Sequence, residues 1–102
     1  MRLVAGILLL LGASPVAAQA PSRLMGQVLD AATGAPVADA EVRAGEARGL
    51  TRPDGRFLLG SVPPGRLRVE IRRIGYAPWS AAVEVLPGLD RTVTVALTAP
   101  PV

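Results

Sequence analysis

The positions of glycine and proline constrain this chain more than any other feature of its sequence. The 102 residues include 11 glycines and 10 prolines, most of them after residue 18. The longest segment without either residue is 89–99. Because both residues disfavour helix interiors, helices of ordinary length have almost no room here. Strands of about five to nine residues fit the remaining segments well.

Alternation of apolar and polar residues within these segments indicates β-strands. In 66–72 every odd residue is apolar and every even residue is charged, so one face of the strand is expected to be buried. The same pattern, complete or partial, predicts six further strands, at 24–28, 40–44, 48–51, 57–59, 79–85 and 91–98. Short strands at this spacing are typical of an all-β fold, a β-sandwich of about seven strands.

Turn-forming residues separate the predicted strands. Pro64 and Gly65 are typical of the two central positions of a type II turn, where the glycine takes a positive φ. Gly55 is expected in the left-handed conformation within a tight hairpin, with Asp54 bonding the turn backbone. Backbone geometry alone accounts for the six residues assigned to turns, which are Gly34, Asp54, Gly55, Pro64, Gly65 and Gly75.

The first 18 residues differ from the remainder and are typical of a signal peptide. Arg2 precedes an apolar segment that is shorter than the about 20 residues needed to span a bilayer. Small residues fit cleavage after Ala18, although cleavage after Ala20 satisfies the same rule. We therefore expect a signal peptide at 1–18, a short linker at 19–22, a folded domain at 23–98 and a tail at 99–102. The mature domain would have no transmembrane span and would lie in the periplasm, at the outer membrane or in the medium.

Several residue types are missing, namely cysteine, histidine, lysine and asparagine. Their absence excludes disulfides, thiol and imidazole chemistry, Schiff bases and the usual transition-metal ligands. The aspartates lie near predicted turns, but without the spacing of a calcium-binding loop. All 11 basic residues are arginine, and the net charge of +3 is too small for a nucleic-acid-binding surface. We expect no enzyme activity, no catalytic residues, no cofactor, no metal site and no nucleic-acid partner.

Five motifs, in order along the chain, resemble the carboxypeptidase regulatory-like domain family. They lie at 26–30, 33–42, 51–57, 62–65 and 74–76. The similarity covers 23–98 and implies a seven-stranded Greek-key β-sandwich of the prealbumin type, also called transthyretin-like or carbohydrate-binding-like, without catalytic residues. Some similar adhesin modules contain an internal Lys–Asn isopeptide bond. The missing lysine and asparagine exclude that cross-link here.

The resemblance implies a recognition or scaffolding role at the bacterial cell envelope, with carbohydrate as the ligand class. Bacterial members often occur in exported proteins, including the N-terminal part of TonB-dependent outer-membrane receptors. The alternative is therefore a structural or protein-interaction domain of such a receptor, present here as a fragment or as a stand-alone copy. Expected partners are a carbohydrate or another envelope protein, and the isolated domain is expected to be monomeric.

Four residues are candidate ligand contacts. Tyr76 and Trp79 could form a platform for a sugar ring, although the alternation also fits an inward position for Trp79. Phe57 belongs to an inward row and is expected in the core. Arg72 and Arg73 end a row of arginines that could bind an anionic polymer. The same row could instead form a solvated strand face that discourages edge-to-edge pairing.

Overall fold

The seven predicted strands are all present in the computed structural model, which describes residues 21–100 and contains no helix in that range. They are β1 (Ser22–Asp30), β2 (Glu41–Ala44), β3 (Ala47–Leu50), β4 (Arg56–Val62), β5 (Gly65–Arg72), β6 (Trp79–Val85) and β7 (Arg91–Leu97). The prediction of an all-β, seven-stranded fold is confirmed. The expected signal peptide at 1–18, residues 19–20 of the expected linker and residues 101–102 of the expected tail lie outside the described residues. Nothing between residues 21 and 100 forms a helix long and apolar enough to cross a bilayer.

The strands form two sheets, one of three strands in the order β4-β1-β7 and one of four in the order β3-β2-β5-β6. β1 pairs antiparallel with β4 and parallel with β7. Every pair in the four-stranded sheet is antiparallel. The chain forms hairpins at β2–β3 and β5–β6, and each of its other four connections passes from one sheet to the other.

The turn at 52–56 is one of these crossings between sheets. The N–H of Gly55 donates to the carbonyl oxygen of Arg52 at 2.8 Å, and Gly55 has φ 80°. Oδ1 of Asp54 accepts a hydrogen bond from the N–H of Arg56 at 3.0 Å. The turn is tight, as expected, but it is not a hairpin between paired strands. β3 and β4 lie in different sheets, because β3 pairs with β2 whereas β4 pairs with β1.

The core lies between the sheets and is built from inward residues of every strand except β3, together with two residues of the segment before β2. Its buried apolar residues are Leu24, Val28, Val37, Ala40, Val42, Ala44, Phe57, Leu59, Val62, Val69, Ile71, Val83, Val85, Val95 and Leu97. Phe57 is 3% exposed, as the sequence predicts. Its ring lies against Gly26, where a Cβ would come within 2.9 Å of the ring and would also collide with the carbonyl oxygen of Val93. Gly26 therefore allows three strands and an aromatic ring to meet at one point.

The outer faces of the two sheets differ in charge. We call the outer face of the four-stranded sheet the charged face, since it carries Glu41, Arg43, Arg48, Arg66, Arg68, Glu70, Arg72 and Glu84. We call the other one the threonine face, and its residues are Met25, Gln27, Leu29, Arg56, Leu58, Thr92, Thr94 and Ala96. Arg56, at the start of β4, is the one charged residue among these eight, and Arg23 near the start of β1 is also exposed on this side, where it is paired with Asp90.

Candidate functional site

An open depression lies beside the connection between β5 and β6, at one end of the sandwich. Its volume is about 490 Å³. We call it the loop concavity, and it is lined by Asp39, Glu41, Arg72, Arg73, Ile74, Tyr76 and Pro78. Three of the four candidate ligand contacts therefore lie around one depression. The fourth, Trp79, does not line it.

Tyr76 is held in place by hydrogen bonds at both its backbone and its side chain. Its N–H donates to the carbonyl oxygen of Arg73 at 3.0 Å, and its hydroxyl donates to Oδ2 of Asp30 at 2.8 Å. Gly75, which lies between Arg73 and Tyr76 in the sequence, adopts a φ of 93°. The hydroxyl contact joins the β5–β6 connection to the end of β1, so the aromatic ring has a fixed position at the rim of the loop concavity.

The carboxylate of Asp30 accepts hydrogen bonds from three donors. Oδ1 accepts from the N–H of Ala32 at 2.8 Å and from that of Thr33 at 3.0 Å, while Oδ2 accepts from Tyr76. The tyrosine hydroxyl, and after it the Thr33 and Ala32 amides, lower the pKa of Asp30 because they stabilise the ionised carboxylate. The same bond raises the pKa of Tyr76. This pair stabilises the loop, and we assign it no chemical step.

The two candidate arginines have different environments. Arg73 is partly buried, and its Nε donates to the carbonyl oxygen of Ala38 at 2.9 Å. It therefore connects the β5–β6 connection to the segment that precedes β2. Arg72 is exposed on the charged face, in register with Glu41 of the neighbouring strand. Of these two arginines, Arg72 is the one whose guanidinium is more accessible to a ligand.

Trp79 begins β6 opposite Ile71 and packs partly buried against the core. Its indole therefore contributes to packing, and Tyr76 and Trp79 do not form a joint platform at the loop concavity. Ile74 was not singled out from the sequence, yet it is 89% exposed. A large apolar residue between an arginine and a turn glycine is a signal that could have identified it.

Asp39, at the rim of the loop concavity, has an unusual backbone conformation. Its φ is 59°, in the left-handed region that aspartate tolerates better than most residues. Its N–H donates to the carbonyl oxygen of Thr51 at 3.0 Å. The buried hydroxyl of Thr51 accepts from the N–H of Ala40 at 2.9 Å and donates to the carbonyl oxygen of Val37 at 2.6 Å. These bonds fix the segment that carries Asp39.

The row of arginines on β5 is matched by acidic residues on its neighbours. Arg72 lies opposite Glu41, Glu70 lies opposite Arg43, and Arg66 lies opposite Glu84. Nε of Arg68 is 3.7 Å from Oε2 of Glu70, and Nη2 of Arg68 donates to the Ser80 hydroxyl at 3.0 Å. Opposite charges in register stabilise a sheet surface and reduce its attraction for an anion. The arrangement therefore favours a solvated strand face over a site for an anionic polymer.

Two further properties of residues 21–100 are their metal-ligating groups and their shifted pKa values. No group of three or more acidic, histidine or cysteine side chains in residues 21–100 could hold a metal ion. The shifted pKa values belong to hydrogen-bonded pairs, Asp30 with Tyr76 and Arg23 with Asp90.

A second depression, of about 420 Å³, lies on and around the threonine face. Its lining is Met25, Gly26, Gln27, Arg52, Arg56, Phe57, Leu58, Thr92 and Thr94.

The two sheets and their surfaces define a small β-sandwich domain. Within that class, the family profile of the carboxypeptidase regulatory-like domain matches residues 23–98, and the chain belongs to this family. The resemblance inferred from the five sequence motifs is confirmed. Among the curated proteins, no sequence matches this chain.

Three solved structures illustrate how widely this sandwich occurs. A chain of a type II cohesin–X-dockerin complex from Acetivibrio cellulolyticus is 20% identical, with a TM-score of 0.65 over 76% of this chain and 58% of that chain. A candidate carbohydrate-binding protein from Bacteroides uniformis is 16% identical, with a TM-score of 0.59 over 76% of this chain and 41% of that chain. A candidate membrane-associated protein of unknown function from Bacteroides fragilis is 26% identical, with a TM-score of 0.60 over 83% of this chain and 30% of that chain.

In all three comparisons the present chain spans less than two thirds of the solved chain. Identities of 20% and 16% show similarity of fold alone. The dioxygenase from Rhodococcus opacus, which is 15% identical with a TM-score of 0.64, is likewise similar in fold. The same sandwich therefore occurs in proteins of very different description, and function has to be argued from the surface.

Proposed function

We propose that this domain is a non-catalytic recognition module of the bacterial cell envelope that binds carbohydrate at the loop concavity. One arrangement supports this function. The ring of Tyr76, the accessible guanidinium of Arg72 and the carboxylates of Asp39 and Glu41 surround a single open depression. An aromatic ring offers a surface for the apolar face of a sugar, and charged groups form strong hydrogen bonds with hydroxyl groups.

The rim residues are also held in position before a ligand arrives. Tyr76 is fixed by its bond to Asp30, and Asp39 by its bond to the Thr51 carbonyl oxygen. A site that is already ordered loses less conformational entropy when a ligand binds, so a shallow depression can still bind with useful affinity. The proposed contacts are weak individually, and we expect affinity to depend on several sugar units.

Isothermal titration calorimetry with a panel of soluble oligosaccharides tests this function. Tyr76→Ala removes the ring, and we expect it to weaken binding by about tenfold, or about 1.4 kcal/mol. Tyr76→Phe retains the ring and should bind within about threefold of the original protein, or about 0.7 kcal/mol. Arg72→Ala should weaken binding severalfold, whereas Arg48→Ala removes the same charge from the charged face at a site outside the concavity and should have no effect.

Two results would contradict carbohydrate binding at this site. One is the absence of heat with every oligosaccharide tested. The other is binding that Tyr76→Ala leaves unchanged, provided that circular dichroism shows the variant to be folded. The first result would favour the alternative below, and the second would assign carbohydrate binding to another surface of the domain.

The alternative is a structural or protein-interaction domain belonging to a TonB-dependent outer-membrane receptor. Ile74 favours it, because an 89% exposed isoleucine at a loop tip is better suited to a protein surface than to a sugar. Genomic sequence that continues the reading frame past Val102 into a receptor would support this alternative. Ile74→Ser should then abolish receptor assembly, while under the carbohydrate proposal Ile74 only lines the concavity and the variant should weaken oligosaccharide binding less than Tyr76→Ala does.

Export remains a separate part of the proposal and rests on the apolar segment at 1–18. Expression with the natural N-terminus in a Gram-negative host, followed by mass spectrometry of the periplasmic fraction, measures the cleavage site. We expect a mature chain that begins at Gln19, with Pro21 as the second possibility. A product retained in the cytoplasm at full length would contradict export.

A further inference from the structure

The two sheets leave four strand edges, on β3, β4, β6 and β7. Natural proteins protect such edges with short strands, bulges or charged residues, because an open edge pairs readily with another strand. β3 has four residues and includes Arg48, β4 is irregular near Ser61 with φ 56°, and β6 includes Glu84. β7 has its one charged residue, Arg91, at its first position. Its residues 92–97 carry no charge, and four of these six are valine or threonine.

The backbone of β7 directs alternate residues to the open edge. The carbonyl oxygen of Val93 faces Gly26 on β1, and that of Leu97 accepts from the N–H of Ala31 at 2.9 Å. The backbone N–H and C=O groups of the odd-numbered residues of β7 therefore point toward β1. Because successive residues of a strand direct their N–H and C=O groups to opposite sides, the even-numbered residues face outward.

One outward group is already occupied, and the others are not bonded to backbone. The carbonyl oxygen of Thr98 accepts from the N–H of Ala77 at 2.8 Å, which closes the edge at that end. Among the described residues, none provides a backbone partner for the outward groups of Thr92, Thr94 and Ala96. These three residues leave three donors and three acceptors in a row, which is the pattern that a further strand would pair with.

We propose that β7 pairs antiparallel with β7 of a second copy of this chain, about a two-fold axis at Thr94. In that register Thr94 lies opposite Thr94, and Thr92 of each copy lies opposite Ala96 of the other. Each of these pairs can exchange both of its backbone hydrogen bonds, so all outward groups of the row are satisfied. The pairing joins two three-stranded sheets into one continuous sheet, with the same surface used by both copies.

The side chains fit the same register. On the threonine face the opposing pairs are Thr92 with Ala96 and Thr94 with Thr94, which are small or β-branched and pack well across strands. On the inner side Val93 lies opposite Val95. Arg91 lies opposite Leu97, so no two like charges are placed directly across from each other.

Neighbouring registers are worse for identifiable reasons. A shift of two residues in one direction places Ala96 opposite Asp90, which lies outside β7 and is already paired with Arg23 at 2.8 Å. A shift in the other direction places Thr92 opposite Thr98, whose outward carbonyl oxygen is occupied by Ala77. The structure therefore singles out one self-complementary register. The proposed dimer differs from the monomer expected for the isolated domain, because the sequence alone does not show which strand edge is open.

Analytical ultracentrifugation of the purified protein, from micromolar to millimolar concentration, tests this pairing. We expect a concentration-dependent monomer–dimer equilibrium. Thr94→Glu and Thr94→Lys each place like charges on the two-fold axis, and each variant should be monomeric over the same range. An equimolar mixture of the two variants places opposite charges on the axis and should form dimers again.

Matched variants on the neighbouring edge control for the added charge. Ala82→Glu and Ala82→Lys introduce the same charges on β6, at an exposed position of the charged face, and should dimerise as the original protein does. The proposal is overturned if the original protein stays monomeric throughout, if Thr94→Glu dimerises normally, or if the Glu and Lys variants at position 94 fail to associate when mixed. Loss of the dimer in Ala82→Glu alone would assign the contact to β6 and also overturn it.

Discussion

The charged face and the threonine face are both formed by alternating strands, but they belong to different sheets and differ in what they offer another molecule. On the charged face, arginine and glutamate oppose each other across strands at three registered pairs, while Arg43 lies opposite Arg48. On the threonine face, Leu58 is 46% exposed and Thr92 and Thr94 lie along an open edge. Matched charges keep one face solvated and discourage pairing, whereas the other face has little charge to keep a second strand away. A row of arginines is therefore a poor indicator of binding until its neighbours are known.

The largest expected effect concerns the junction beneath the threonine face. Gly26→Ala places a Cβ against the Val93 carbonyl oxygen and the Phe57 ring, so β1 and β7 must move apart. We expect a loss of about 3 kcal/mol or more in the free energy of unfolding, measured by urea denaturation. Gly60→Ala is the matched control, because a Cβ there meets nothing within 4 Å. Equal stability of the two variants would show that β1, β7 and the Phe57 ring accommodate a Cβ at position 26.

A smaller effect is expected when the charge matching of the charged face is broken. Glu70→Arg places a third guanidinium beside Arg43 and Arg68, and we expect a loss of about 0.5 kcal/mol that shrinks at high salt. Glu46→Arg makes the same change of charge in the β2–β3 turn and should have less effect. If thermal or urea denaturation shows no salt-dependent difference between the two variants, the matching contributes nothing to stability.

The smallest effect concerns the bond between Tyr76 and Asp30. Because the pKa of Asp30 is lowered in the folded protein, the stability that it contributes is present above the unfolded value and is lost as the pH falls through the folded value. Tyr76→Phe removes the first cause of that shift, so the pKa of Asp30 should rise toward its usual range. NMR titration of the carboxyl carbons measures it. Asp90 in the same sample, which is paired with Arg23, should titrate unchanged.

The raised pKa of Tyr76 acts at the other end of the pH scale. The stability that it contributes is present below the unfolded value and is lost as the pH rises through the folded value. Tyr76→Phe has no such group, so its stability should fall less steeply in alkaline solution. Parallel alkaline denaturation curves for the two proteins would show that the hydroxyl bond does not form in solution.

The alternation of apolar and polar residues predicts the strands of this fold, but it does not predict which strands pair. The pattern at 79–85 predicts the bounds of β6 correctly, and the inward position of Phe57 is also correct. The sequence at 52–56 predicts a hairpin, because local sequence shows where the chain reverses. It does not show that the two adjoining strands belong to different sheets.

The candidate site was predictable only in part, for the same reason. Arg72, Arg73 and Tyr76 are close in sequence, and each is a candidate ligand contact from the sequence, the arginines for an anionic polymer and the tyrosine for a sugar. Asp39 and Glu41 reach the same depression from another segment, because β2 pairs with β5 in a register that places Glu41 beside Arg72. No pattern within either segment predicts the pairing of β2 with β5.

Carbohydrate recognition at the loop concavity is tested most directly by a two-dimensional ¹H–¹⁵N NMR titration of the assigned protein with the oligosaccharide panel. Binding at the loop concavity predicts saturable shifts at the amides of 39–41 and 72–76, with the threonine face and the remote part of the charged face unaffected. Shifts confined to the threonine face, or no saturable shifts with any oligosaccharide, would contradict it.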